Sequence, residues 1–362
     1  MDLTLDLGAA RYPVVFILSL VLALYFTPII RRAAIHYSIM DTPDKGLKTH
    51  REPTPYLGGV AIYLAFLFTL AFTYDFTHEV LGILFAASII VTLGLFDDLK
   101  VLSPGVKLMG QIIAAFVAAK AGIMIRLTFL PDWAAFSLTM LWLVGMTNAV
   151  NLIDVSDGLA AGVSSIGGMF LYIVAVHNGA VTIAMLILAL VGATLGFLAY
   201  NRPPARIFMG DTGSMLLGFM LGALAMIGHY TFVHRLAALA PVVILGVPIF
   251  DTLFVMGVRA LRGIPLMRGS PDHFAVRLRN RGMPAGRIAL IGYLAALALG
   301  TLGLGICWAP MEIAAGLVGG AGLIAGAAVL ALWKIGRGPA LPPPESPPAL
   351  VADSRGKTDA QA

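Results

Sequence analysis

Eleven nearly uncharged apolar stretches run through this chain of 362 residues, at 13–30, 57–74, 80–96, 108–125, 133–152, 159–176, 179–198, 213–230, 236–258, 288–308 and 313–333. A helix needs about 20 mostly apolar residues to cross the hydrocarbon layer of a bilayer. Only helices and closed barrels satisfy every backbone polar group there. A barrel strand alternates apolar and polar residues, whereas these stretches are continuously apolar, so the expected fold is all-α. Composition removes the soluble alternative. Hydrophobic residues make up 59% of the chain, charged ones 12%, and the mean hydropathy is +0.90. A soluble domain of this size would need an apolar surface as well as an apolar core. The expectation is a polytopic integral membrane protein of about eleven transmembrane helices. The first stretch lacks the layout of a signal peptide and is read as a span. Gly316, Gly319, Gly320 and Gly322 in the last one suit close helix packing in lipid. A single cysteine, Cys307, excludes an internal disulfide framework and a cysteine metal cluster.

The connections differ in charge. Lys and Arg number five at 31–56, two at 97–107, two at 199–212, seven at 259–287 and four in the tail, against three in the intervening connections, Arg11, Arg126 and Arg235. By the positive-inside rule the N-terminus lies outside and the C-terminus in the cytoplasm. The net charge of +5 is thus explained by topology, and no nucleic-acid partner is expected. Residues 1–337 form one transmembrane catalytic unit, and the Pro-rich segment 338–362, with Pro342, Pro343, Pro344, Pro347 and Pro348, reads as a disordered cytoplasmic tail.

In a chain so poor in charge, carboxylates near membrane depth are expensive unless paired or wet. Asp97 and Asp98 close the third span, Asp154 and Asp157 follow the fifth, and Asp211 opens the eighth. Charge counting on Lys and Arg alone puts all five on the cytoplasmic side. Each has a plainer reading: solvated loop residues for Asp97-Asp98, a cap or a shared helical face for Asp154 and Asp157, and an N-cap for Gly210-Asp211-Thr212-Gly213-Ser214. Asp251, mid-span beside Pro248, reads as a satisfied helix-packing residue. Three clusters on one face make a hard-oxygen environment suited to Mg²⁺ or Mn²⁺. With the eighth helix expected to begin at Gly213-Ser214, its free N–H groups would help hold a phosphate. The arginine-rich loop supplies the opposite charge, with Ser270 as a helix cap, Pro271 in the first turn and Gly282 at the end. His273 and Arg277 would then share one face of that short helix.

Lys48-Thr49-His50, Thr54-Pro55, Gly58-Gly59, Asp97-Asp98, Asn148 to Gly158, Phe208 to Ser214 and Asp272-His273, in this order, resemble the polyprenyl-phosphate N-acetylhexosamine-1-phosphate transferases. The resemblance covers nearly the whole chain from the first cytoplasmic loop to the last span. It implies a Mg²⁺-dependent sugar-1-phosphate transferase of the inner membrane, with its active site on the cytoplasmic face. Its implied substrates are a UDP-N-acetylhexosamine and polyprenyl (undecaprenyl) phosphate. Its implied catalytic residues are Asp97 and Asp98, near the lipid phosphate, and His273. Asp211 and Asp154 would hold the metal. Lys48, Lys107, Asn151, Asp154, Asp157, Phe208, Arg277 and Arg279 would line the substrates, with Phe208 stacked on the uracil. A homodimer stays open.

Two departures from the family pattern stand out. Val155 occupies a position often written as glycine, and His273 is the one histidine in a loop that usually holds several. The second departure favours a GlcNAc-1-phosphate transferase over the runner-up, a phospho-MurNAc-pentapeptide transferase. An ion-coupled transporter is the competing class, but transporter acids gather at the midplane of broken helices in related halves. Here they gather at one face without an internal repeat, and Asp251 alone fits the transporter pattern.

Overall fold

A computed structural model describes residues 10–41, 53–74, 77–127, 130–228, 230, 233–263 and 271–336. The long helices are α1 (Arg11–His36), α2 (Gly58–Thr73), α3 (His78–Leu99), α4 (Pro104–Lys120), α5 (Asp132–Ile153), α6 (Leu159–His177), α7 (Val181–Asn201) and α8 (Gly210–Met226). After a 3-10 turn at Arg235–Leu239 come α9 (Ala240–Ile244), α10 (Gly246–Leu261), α11 (Phe274–Asn280), α12 (Ala285–Trp308) and α13 (Met311–Ile335). Two residues of β1 (Met40–Asp41) pair antiparallel with β2 (Thr54–Pro55) and tie the end of α1 to the start of α2.

The chain is a multi-pass helical membrane protein. By length and composition, α1, α3, α5, α6, α7, α12 and α13 can each cross a bilayer, and the bent pair through α9 and α10 adds an eighth candidate. The remaining apolar stretches are shorter as helices than as hydropathy runs. α4 and α8 have 17 residues each, about 25 Å of helix at ~1.5 Å per residue, under the ~30 Å hydrocarbon core. α4 ends at Lys120 because Gly122 turns the chain at φ 96°, where hydropathy alone carries the run to residue 125.

Three expectations are corrected, and one pair of open alternatives is decided. The ninth stretch is no continuous span: it breaks around Leu245, and its halves diverge by 79°. The glycines of α13 make no close helix approach among the described residues, since a Cβ at Gly316, Gly319, Gly320 or Gly322 would meet nothing within 4 Å there. The loop helix starts at Phe274 with His273 at its cap, not at Pro271, and Ser270 lies outside the described residues. Gly282 does stand just beyond its end, at φ 83°. The fifth helix stops at Ile153, so Asp154 is a helix cap and shares no helical face with Asp157.

α8 sits deepest, packed against α5, α3 and α2, while α7 packs against α1 and α6 and α12 covers α6. Consecutive long helices run in opposite directions, so the end of α3, the start of α4, the end of α5, the end of α7 and the start of α8 meet at one end of the bundle.

Candidate active site

The start of α8 is fixed by backbone contact and then by charge. A Cβ on Gly59 would lie 2.1 Å from the Gly213 nitrogen, and one on Gly94 would lie 2.5 Å from Thr212 Cα. Only glycine lets α2 and α3 approach the first turn of α8 so closely. Below it, Phe208 donates its N–H to Pro55 O at 2.8 Å, and Gly58 and Gly59 return theirs to Phe208 O and Met209 O at 3.0 and 2.9 Å. This seam explains why Thr54-Pro55-Tyr56-Leu57-Gly58-Gly59 and Phe208-Met209-Gly210, so distant in sequence, act as one unit.

Asp98 caps α8 from another helix. Its Oδ1 accepts the Asp211 N–H at 2.7 Å, and its Oδ2 accepts the Thr212 N–H at 3.1 Å and the Thr212 hydroxyl at 2.6 Å. These are charge-assisted bonds at the positive end of a helix dipole. They correct the expectation that the first N–H groups of α8 are free for a phosphate, and the helix begins at Gly210 instead of Gly213. They also occupy both oxygens of Asp98, which makes it a positioning residue for Asp211.

Asp97 points elsewhere. Its Oδ1 accepts the Leu102 N–H at 2.7 Å, and its Oδ2 pairs with Lys107 Nζ at 2.5 Å. The same ammonium contacts Asp211 Oδ2, so Lys107 joins the carboxylates of α3 and α8. The other oxygen of Asp211 accepts from Asn151 Nδ2 at 3.0 Å, and Asn151 also donates to Ser214 Oγ at 2.9 Å. Next to it Asn148 donates to Gln111 Oε1 at 2.6 Å, one turn beyond Lys107 on α4. Sequence reasoning missed Gln111, although an amide amid an apolar helix, four residues after Lys107, was the available signal.

The loop between α5 and α6 is held open by its own anchors. Gly158, at φ 72°, donates to Asn201 Oδ1 at 3.0 Å, and the Tyr293 hydroxyl donates to Gly158 O at 2.8 Å. Asp157 accepts from the Ala205 N–H at 3.0 Å, and Arg279 Nη2 donates to Val155 O at 2.7 Å. Asp154 takes no hydrogen bond on its carboxyl from the described residues. Burial, reinforced by the negative charges of Asp211, Asp98 and Asp157, pushes that carboxyl up to about 8. Burial likewise lowers the guanidinium of Arg279, partly offset by Asp157. Tyr56 is a second residue the sequence did not announce. Its ring lies 6.1 Å from that of Phe208, and burial, a hydrogen bond to Asp41 and the charges of Asp41, Asp98 and Asp211 raise its phenol.

The structure thus brings Asp97, Asp98, Lys107, Asn151 and Asp211 into direct contact, with Asp154 in their field. His273 and Arg277 stand apart from these contacts. Arg277 is buried and donates to Asp272 O and Oδ1 and to Leu332 O, so its expected substrate contact is replaced by an internal one. The burial of Asp272 requires that partner. Lys48 lies outside the described residues. Among the described residues no three His, Cys, Asp or Glu side chains converge as an all-protein metal cage. Mg²⁺ needs none: one or two carboxylates suffice when waters and phosphates complete the shell. Asp154, whose carboxyl takes no hydrogen bond from the described residues, and Asp211, held by Lys107 and Asn151, offer hard oxygens of the kind Mg²⁺ takes.

The family model described as glycosyl transferase family 4 matches residues 80–229, from α3 through α8. A probable undecaprenyl-phosphate N-acetylglucosaminyl 1-phosphate transferase of Bacillus subtilis is 38% identical over 299 residues, covering 80% of this chain and 83% of that one. The chain belongs to glycosyl transferase family 4. A phospho-N-acetylmuramoyl-pentapeptide-transferase of Bacillus cytotoxicus is 37% identical over a shorter stretch of 241 residues, 59% of this chain and 73% of the relative. Its Bacillus thuringiensis counterpart is 35% identical over the same length. Within the family this chain is thus nearer to the N-acetylglucosaminyl 1-phosphate transferase than to these pentapeptide transferases.

Proposed function

We propose that this protein transfers an N-acetylhexosamine-1-phosphate, from UDP-GlcNAc by preference, to a polyprenyl phosphate, releasing UMP. The observation that carries the reading is the meeting of Asp97, Lys107 and Asp211 at one end of the bundle, with Asp98 locking the last of them. The reaction exchanges one phosphoanhydride for another, so the chain has to align two phosphates and neutralise their charge.

In this reading the lipid phosphate attacks the sugar-bound phosphorus of the donor. Asp97, held by Lys107 and the Leu102 N–H, accepts any proton the lipid phosphate carries. Lys107 swings between carboxylates and phosphate oxygens. Asn151 orients Asp211, and Asp157 with the Val155 turn walls the nucleotide pocket, where Phe208 and Tyr56 offer aromatic faces. Asp211 and Asp154 would hold Mg²⁺, which when bound supplies positive charge for the diphosphate oxygens. Direct attack is favoured over an aspartyl-phosphate route because both oxygens of Asp98 are engaged by α8 and Asp97 is ion-paired. The membrane arrangement belonging to this reading is eleven spans, N-terminus outside and C-terminus inside, with the site at the cytoplasmic face of the inner membrane.

The test is purified protein in detergent with Mg²⁺, undecaprenyl phosphate and, in parallel, UDP-GlcNAc, UDP-GalNAc, UDP-QuiNAc and UDP-MurNAc-pentapeptide. UMP release and a lipid-extractable sugar with UDP-GlcNAc are expected. Release from UDP-MurNAc-pentapeptide alone would move the assignment to the pentapeptide enzymes, and release from none would end it.

A further inference from the structure

Asp251 is fully buried in α10, just past the 79° break, in a family fold whose proposed chemistry does not use it. A carboxylate sealed there needs strong partners. Both come from the cap of α11. Asp251 Oδ2 lies 2.6 Å from His273 Nδ1, and Oδ1 accepts the Phe274 N–H at 2.8 Å. One side chain therefore holds the ring of His273 and the backbone beside it. α10 follows the 79° break around Leu245 and carries Asp251 to the start of α11.

The rest of α11 is anchored just as firmly. Arg277, over the Phe254 ring at 4.9 Å, ties it to Asp272 and to the end of α13, and Arg279 reaches Val155 O between Asp154 and Asp157. The ring nitrogen opposite Asp251, Nε2, makes no hydrogen bond with the described residues and is not sealed away as a buried unpartnered atom. A histidine with Nδ1–H bound to a carboxylate has its tautomer and orientation fixed, with its other nitrogen available to a ligand.

We propose that Asp251 is a positioning residue that clamps His273 so that Nε2 is presented to a phosphate oxygen of the substrates. The inference rests on the transferase reading above. It assigns a task to an aspartate that sequence analysis took for helix packing, and it makes the break in the ninth stretch part of the site's construction.

The test is Asp251→Asn. The amide oxygen can still accept the Phe274 N–H, so α11 keeps its start, while the amide N–H₂ faces Nδ1 and forces the ring to lose its donor there. With the full-length protein in nanodiscs, kcat should fall about 10- to 100-fold, as for loss of a partner that orients a functional histidine, with KM for undecaprenyl phosphate unchanged. His273→Gln should fall similarly, and Asp251→Asn added to His273→Gln should cause no further loss. In parallel, ¹⁵N-histidine NMR, assigned with His273→Gln, should show the Nδ1 proton in the wild type and its loss in Asp251→Asn. Multiplicative losses in the double variant, a kcat within twofold of wild type in Asp251→Asn, or an unchanged His273 spectrum would each overturn the proposal. Wild-type protein without transfer would instead overturn the transferase reading, and the NMR result would still decide the clamp.

Discussion

Replacing Asp98 by Asn separates two neighbouring aspartates that resemblance treats alike. The carboxylate accepts three hydrogen bonds from the first turn of α8. Asn keeps one acceptor oxygen for the Asp211 N–H, and its amide N–H₂ can donate to the Thr212 hydroxyl. The Thr212 N–H is then left facing a donor. An unsatisfied buried N–H costs about 1–3 kcal/mol, and loss of the negative charge at a helix N-terminus costs about 0.3–1 kcal/mol more. Asp98→Asn should therefore destabilise by roughly 1.3–4 kcal/mol. It should also lose transfer, because Asp211 rides on the same turn. Asp97→Asn weakens a partly exposed pair with Lys107 and should change stability by under about 1 kcal/mol, while still losing transfer. Unfolding in mixed micelles, read alongside initial rates, distinguishes them. An Asp98→Asn protein as stable as Asp97→Asn would refute the capping role.

Gly59→Ala would put a methyl 2.1 Å from the Gly213 nitrogen. α2 must retreat by more than 1 Å to reach ordinary contact, a displacement that can cut rates on the order of 10²-fold, whereas Gly316→Ala on the open face of α13 should leave initial rates unchanged. In chelator-treated protein, Asp154 with its raised carboxyl binds a proton that the unfolded chain has already released between pH 4 and about 8. Stability should accordingly fall as pH rises through that window, and Asp154→Asn should flatten the slope. Mg²⁺ affinity measured by calorimetry should rise over the same window, because binding expels that proton. Arg279→Met should raise KM for the UDP-sugar severalfold by freeing the Val155 carbonyl, with little change in KM for the lipid.

Much of the fold could be read from hydropathy, because apolar runs in lipid have few alternatives to helix, and the meeting of Asp97, Asp98 and Asp211 followed from counting which loops carry Lys and Arg. What could not be read is contact between distant backbones. Asp98 looks like a reactive acid in sequence and is a helix cap, a role set 113 residues away by the start of α8. The break around Leu245 has a local mark that hydropathy passes over: Pro248, in the first turn of α10, has no N–H for the carbonyl of Ile244, where α9 ends. Gln111 and Tyr56 are ordinary residues until Asn148 and the acids beside them come into place.

The most direct measurement uses UDP-GlcNAc carrying ³²P in the phosphate next to the sugar, incubated with undecaprenyl phosphate, Mg²⁺ and the purified protein. The label should enter the lipid fraction together with the sugar, the released nucleotide should be unlabelled UMP, and Asp211→Asn should abolish both. Label remaining on the nucleotide as UDP while the sugar moves alone would mean glycosyl rather than phosphosugar transfer, and would contradict the proposed reaction.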